Sequence, residues 1–191
     1  WWKLKVVYLL EIRWHGRGGQ GAWTASELLA RAAIQEGKYI QSFPEFGPER
    51  MGAPVNAFTR ISDAPINLHC TIYSPDVVAV LDPTLLKTVP VTEGLKKDGI
   101  LVINTRETLA QLAKQLNFPK RQLWTIPATD IAVEILGRPI TNTAMLGAVA
   151  RAAELVSLKS IKEAVKERFP LKIAERNMEI VERAYNEVKS E

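Results

Sequence analysis

The residues Gly16-Arg17-Gly18-Gly19-Gln20-Gly21 satisfy G-x-G-x-x-G through Gly16, Gly18 and Gly21. Such residues form and break no bonds. They can bring peptide N–H groups against an anion, because glycine permits a tight turn, close approach of a ligand and close packing of a helix on a strand. The elements around them suit that task. Leu9 to His15 reads as a strand, and Ala22 to Glu36 carries Leu28, Leu29, Ala32 and Ala33 at helical spacing, with Gly37 as its stop. Strand, glycine turn and helix together aim a helix start at phosphate, so the chain is expected to bind a phosphorylated ligand.

A nicotinamide or flavin dinucleotide would call for an acid about 20 residues beyond the glycines, at the end of the second strand. The chain offers Gln41 and Ser42 there; Glu45 lies beyond Pro44, and Glu36 falls inside the helix. Gln20-Gly21-Ala22 stands where a P-loop would carry its lysine. There is no G-x-S-x-G elbow and no H-E-x-x-H, and nothing resembles a complete catalytic set. Asp82 and Asp130 fall at strand ends, as functional groups or as helix caps. Trp23, in the first helical turn, is either a wall for the ligand or a core or partner-facing aromatic. The pattern describes a ligand-holding part whose chemistry lies elsewhere.

Composition narrows the classes. The 191 residues are 47% hydrophobic and 24% charged, as in an ordinary globular chain, and are read as one domain, 1–191. The net charge of +4 is dispersed, without the basic block of a nucleic-acid binder. Cys70 is the only cysteine, which rules out an internal disulfide, an iron–sulfur cluster and a cysteine-rich zinc site on this chain and favours a cytoplasmic location. His15 and His69 lack metal-ligand spacing, so no metal is expected. Residues 1–10 are apolar but broken by Lys3 and Lys5 and too short to span a membrane; they read as an extension or an extra strand.

Further strands are expected at Lys38 to Phe43, Val55 to Ile61, Val77 to Leu81, Ile100 to Ile103 and Leu123 to Ile126. Ile66 to Ile72 is read as the antiparallel partner of 55–61 across the Ser62-Asp63-Ala64-Pro65 turn. Helices are expected at Glu107 to Leu116, Ile131 to Leu136, Thr143 to Leu155 with Asn142 as N-cap, Ser157 to Phe169 and Lys172 to Lys189. Pro44 to Pro54 is a stiff, charged loop that should position something. The fold class is therefore α/β: a mixed, mostly parallel Rossmann-like sheet with helices on both faces and helices at the C-terminus.

Several blocks, in one order, resemble the gamma subunit of 2-oxoacid:ferredoxin oxidoreductases, the pyruvate enzyme above all. They are Glu11 to Gly21, Ser42 to Val55, Phe58 to Ser62, Pro65-Ile66, Pro75-Asp-Val-Val, Leu81 to Leu86, Ala128 to Ala132 and Asn142 to Ala148. The resemblance spans about residues 11–190. It implies a complex that joins a 2-oxoacid, coenzyme A and oxidised ferredoxin to give acyl-CoA, CO2 and reduced ferredoxin. This chain would bind coenzyme A; thiamine diphosphate and 4Fe-4S clusters would lie on the alpha, beta and delta partners, and ferredoxin would meet the complex. The single cysteine accords with that division. The resemblance implies coenzyme A contacts from Gly16, Arg17, Gly18, Gly19, Gln20 and Gly21, from Arg50 and Gly52, and from Asn142 and Met145, with no catalytic residue on this chain. Arg60 is read as structural. Related subunits for 2-ketoisovalerate, 2-oxoglutarate or indolepyruvate, a free-standing NAD(P) protein and a purely structural assembly subunit remain as alternatives.

Overall fold

The computed structural model of the chain describes residues 8–45 and 51–191. The elements run β1 (Leu9–Arg17), α1 (Ala22–Gln35), β2 (Tyr39–Glu45), β3 (Pro54–Ser62), β4 (Val77–Val80), β5 (Ile100–Asn104), α2 (Leu109–Leu116), β6 (Leu123–Ile126), α3 (Ala128–Leu136), α4 (Asn142–Ala153), α5 (Leu158–Arg168) and α6 (Leu171–Glu187). The strands form one six-stranded sheet in the order β2-β3-β1-β4-β5-β6. Pairing is parallel from β1 through β4 and β5 to β6, and antiparallel between β1 and β3 and between β3 and β2. The expected mixed, mostly parallel α/β sheet is therefore present.

Side-chain alternation decides which face each strand presents. In β1, Leu10, Ile12 and Trp14 enter one core, against α1, α4 and the C-terminal helices. Val78 and Val80 of β4, Leu101 and Ile103 of β5 and Leu112 of α2 form a second, smaller core on the other face. Each residue of β4 is buried, since this strand has neighbours on both sides and layers on both faces. Helix α4 runs through the larger core, and small residues let it do so: a Cβ at Gly147 would fall 2.3 Å from the Val181 carbonyl of α6.

Two expectations are corrected. Residues 66–72 form no strand. The ladder positions of β3 are taken on one side by β1, from Leu9↔Ser62 to Arg17↔Pro54, and on the other by β2, from Tyr39↔Ser62 to Glu45↔Asn56. A strand has two hydrogen-bonding edges, so no third partner can pair. The segment instead packs near β2 and β3, where its carbonyls accept from Gln41 and Arg60. Asn142 is not the N-cap of α4. That position belongs to Thr141, whose side chain makes no capping bond, and Asn142 is the first helical residue.

The sheet winds in two directions from β1. The β1-α1-β2 crossover leads one way, and β4, β5 and β6 lead the other. The carboxyl ends of β1 and β4 thus flank a crevice from which the connections diverge. In α/β sheets this is where ligands bind.

Candidate ligand-binding site at the carboxyl ends of β1 and β4

The glycine turn leaves β1 into this crevice. It is closed by its own groups: the Gln20 amide nitrogen donates to the Arg17 carbonyl at 2.9 Å, and the Arg17 amide to Gln20 Oε1 at 2.7 Å. Gly19 and Gly21 both have positive φ, at 93° and 78°. Gly21 is required twice over, because a Cβ there would also fall 2.6 Å from Asn142 Nδ2. Asn142, brought from α4, is thus seated directly on the turn.

Two loops brace it. The Gly18 amide donates to the Ala53 carbonyl at 2.9 Å, and the Gly52 amide donates to the Gly18 carbonyl at 3.2 Å, so the corner before β3 is laced to the turn. Arg17 holds the third side. Its Nε donates to Asp82 Oδ2 at 3.1 Å, Nη2 to Thr84 Oγ1 at 2.8 Å and Nη1 to the Gly52 carbonyl at 3.1 Å. Gln20 Nε2 donates to the same Asp82 oxygen at 2.8 Å. Burial would raise the Asp82 pKa, but the bonds from Thr84 and Gln20 and the charge of Arg17 outweigh it and hold the carboxyl below its usual range. Asp82 also caps the short helical turn Pro83–Lys87 through the Thr84 amide. Asp130 lies within the first turn of α3, paired with Arg106.

The start of α1 is left open. Its first backbone bond runs from Ala25 to the Gly21 carbonyl. Gly21 supplies no side-chain cap, and the first turn carries no acid. Among the described residues, the amides of Ala22, Trp23 and Thr24 have no protein acceptor. Three N–H groups and the positive end of a helix dipole therefore converge where β1 ends, the arrangement that binds phosphate. Exposed apolar groups rim the turn: Trp23 is 51% and Met51 94% exposed.

The expected site residues therefore divide. Gly16, Arg17, Gly18, Gly19, Gln20, Gly21, Gly52 and Asn142 come together. All three guanidinium nitrogens of Arg17 are engaged by protein, so here it is a strut. Met145 lies wholly inside the core. Arg50, and the part of the 44–54 loop from 46 to 50, lie outside the described residues, as do residues 1–7. Asp82 and Thr84 complete the turn, and sequence reasoning placed Asp82 only as a strand-end group or cap.

On the face of β1 turned away from Ile12 and Trp14, His15 accepts at Nε2 from Arg13 Nε at 3.0 Å. Burial, and then the charge of Arg13, press its pKa down to about 4. Arg60, 1% exposed, is structural as expected: it pairs with Glu11 at 2.9 Å and Gln41 at 3.0 Å and lies over the Phe43 ring.

A dinucleotide site fits poorly. β3 is inserted between β1 and β2, which moves the end of β2 two strand spacings from β1, about 10 Å. Gln41 and Ser42 there are bonded to Arg60 and Ser26, and Glu45 to Asn56.

The family model described as pyruvate ferredoxin/flavodoxin oxidoreductase matches residues 11–187. The chain is 56% identical over 178 residues to the pyruvate/ketoisovalerate oxidoreductases common subunit gamma of Thermococcus kodakarensis, covering 93% of this chain and 96% of that one. It is 52% identical over 180 residues to the pyruvate synthase subunit PorC of Methanocaldococcus jannaschii, covering 94% and 97%. The solved pyruvate oxidoreductase subunit PORC of Thermotoga maritima superposes with a TM-score of 0.83 at 43% identity, covering 95% and 97%.

Proposed function

The chain belongs to the pyruvate ferredoxin/flavodoxin oxidoreductase family, and on that premise we propose that, as the gamma-type subunit of a 2-oxoacid:ferredoxin oxidoreductase complex, it grips coenzyme A while its partners do the chemistry. The gamma subunit named for its relatives is matched along nearly its whole length. The observation that carries the coenzyme A reading is the uncapped start of α1 in the switch-point crevice, held in place by Arg17, Asp82 and the Gly18–Gly52 pairing.

Coenzyme A brings a diphosphate, which the amides of Ala22, Trp23 and Thr24 would receive with little reorganisation, because the turn is already fixed. Gly52 would let the backbone come close to it, and Arg50 would add a charge-assisted contact. Asn142 would hold the turn from below. The thiol would then project past Met51 and Trp23 toward a partner subunit. Thiamine diphosphate on a partner would supply the decarboxylation, and iron–sulfur clusters the electron path to ferredoxin. This chain's residues bind and orient the acyl acceptor. Selection of the 2-oxoacid, pyruvate or a branched relative, would fall to the thiamine-bearing chains.

The test uses the assembled complex purified through this chain. Arg50→Ala should raise the KM for coenzyme A about tenfold or more, leaving the KM for the 2-oxoacid unchanged. An unchanged coenzyme A KM, or turnover by this chain without partners, would count against the reading.

A further inference from the structure

A groove of about 660 Å³ opens beside the glycine turn, between the start of α4 and the first turns of α6. Asn142 belongs to both places: it lines the groove, and its side chain is the one seated against Gly21. Ile140, Phe169 and Ile173 give the groove apolar walls. Arg138, from the α3–α4 connection, and Lys172 and Arg176, one turn apart on α6, also line it. Among the described residues none of these three makes an ion pair. Arg17, Arg60, Arg106 and Arg183 are all paired. Among the described residues the only acid lining the groove is Glu175. Unpaired cations over apolar walls suit an occupant that has a flat apolar part and a multiply charged anion.

We propose that this groove takes the 3′-phosphorylated adenosine end of coenzyme A: the base against Phe169, Ile140 and Ile173, the 3′-phosphate among Arg138, Lys172 and Arg176. The proposal rests on the preceding reading, in which the diphosphate occupies the amides of α1. It also sets the ligand's direction. The nucleotide lies on the Asn142 side of the turn, and the pantetheine arm leaves on the Met51 side. Arginine and lysine serve different ends here. A guanidinium can engage two phosphate oxygens at once, whereas Lys172 contributes a point charge.

The test is calorimetry on the full chain with coenzyme A, dephospho-coenzyme A and adenosine 3′,5′-bisphosphate. The wild type should bind coenzyme A about tenfold or more tightly than its dephospho form, the gain from charge-assisted contacts to one phosphate. The preference should shrink as salt is raised. Arg138→Gln/Arg176→Gln, both at exposed positions, should bind the two forms alike and lose the bisphosphate. Gly21→Ala should weaken both forms together and leave their ratio intact. Equal affinities in the wild type, or a ratio that survives the double substitution, overturn the groove assignment while leaving the diphosphate site standing. If neither form binds the wild type, both readings fall. If the double variant keeps the ratio but no longer joins the complex, the groove is a seat for an acidic segment of a partner, and the assignment is overturned.

Discussion

Arg60 and Arg17 head two polar networks on the same sheet, and they end differently. The Arg60 network is sealed: the guanidinium is 1% exposed, and Glu11, Gln41, the Thr71 carbonyl and the Phe43 ring surround it. The Arg17 network is equally well bonded around its arginine, but it holds a turn whose outer N–H groups stay open. Saturated polar groups build; the unsaturated ones beside them are available to bind. The difference follows from position. Arg60 sits within β3, between two strands and beneath residues 66–72, whereas Arg17 is the last residue of β1, at the crevice.

Substitutions can break that contrast. The largest effect is expected at Arg60. Arg60→Ala strands the partly buried Glu11 carboxylate and should destabilise the fold by about 3–5 kcal/mol in denaturant unfolding. Coenzyme A affinity of the protein that remains folded should not change. A loss below about 1 kcal/mol would mean the network is not sealed.

His15 comes next. Its native pKa is about 4 and its unfolded value about 6.5. As pH falls, the unfolded chain takes up this proton first, so the contribution is fully present above about pH 6.5 and lost progressively toward pH 4. The loss should be about 3 kcal/mol. The unfolding free energy of His15→Gln plotted against pH should be flatter than that of the wild type over that window, and identical slopes would contradict the buried, neutral histidine.

The glycine turn, β1, α1 and the order of most later elements follow from local spacing, because a strand or helix writes its own period. Residues 66–72 share the alternation of 55–61, and nothing local reveals that β3 already has β1 and β2 on its two edges. Asn142 was legible as a helix-start residue but not as the side chain that fills the space over Gly21. Arg138, Lys172 and Arg176 come from separate segments and meet only in the fold. A substitution at such a meeting point sharpens the contrast at the binding end. Gly21→Ala places a Cβ in a left-handed conformation and onto Asn142. It should destabilise by about 1–2 kcal/mol, small beside Arg60, yet weaken coenzyme A binding about tenfold or more by displacing the turn.

Arg17→Lys is the mildest. It keeps the charge beside Asp82 but loses the fork to Thr84 and Gly52. Stability should fall by about 1 kcal/mol, and coenzyme A affinity should fall with it as the corner loosens. Unchanged affinity would mean that the brace does not order the site.

The central claim is that a diphosphate rests on the first-turn amides of α1. The most direct measurement is the backbone amide spectrum of the isotopically labelled chain during a coenzyme A titration. The account predicts that the largest, saturable shifts occur at Ala22, Trp23 and Thr24, and that inorganic pyrophosphate moves the same three peaks. Saturation by coenzyme A with those amides unmoved would contradict it.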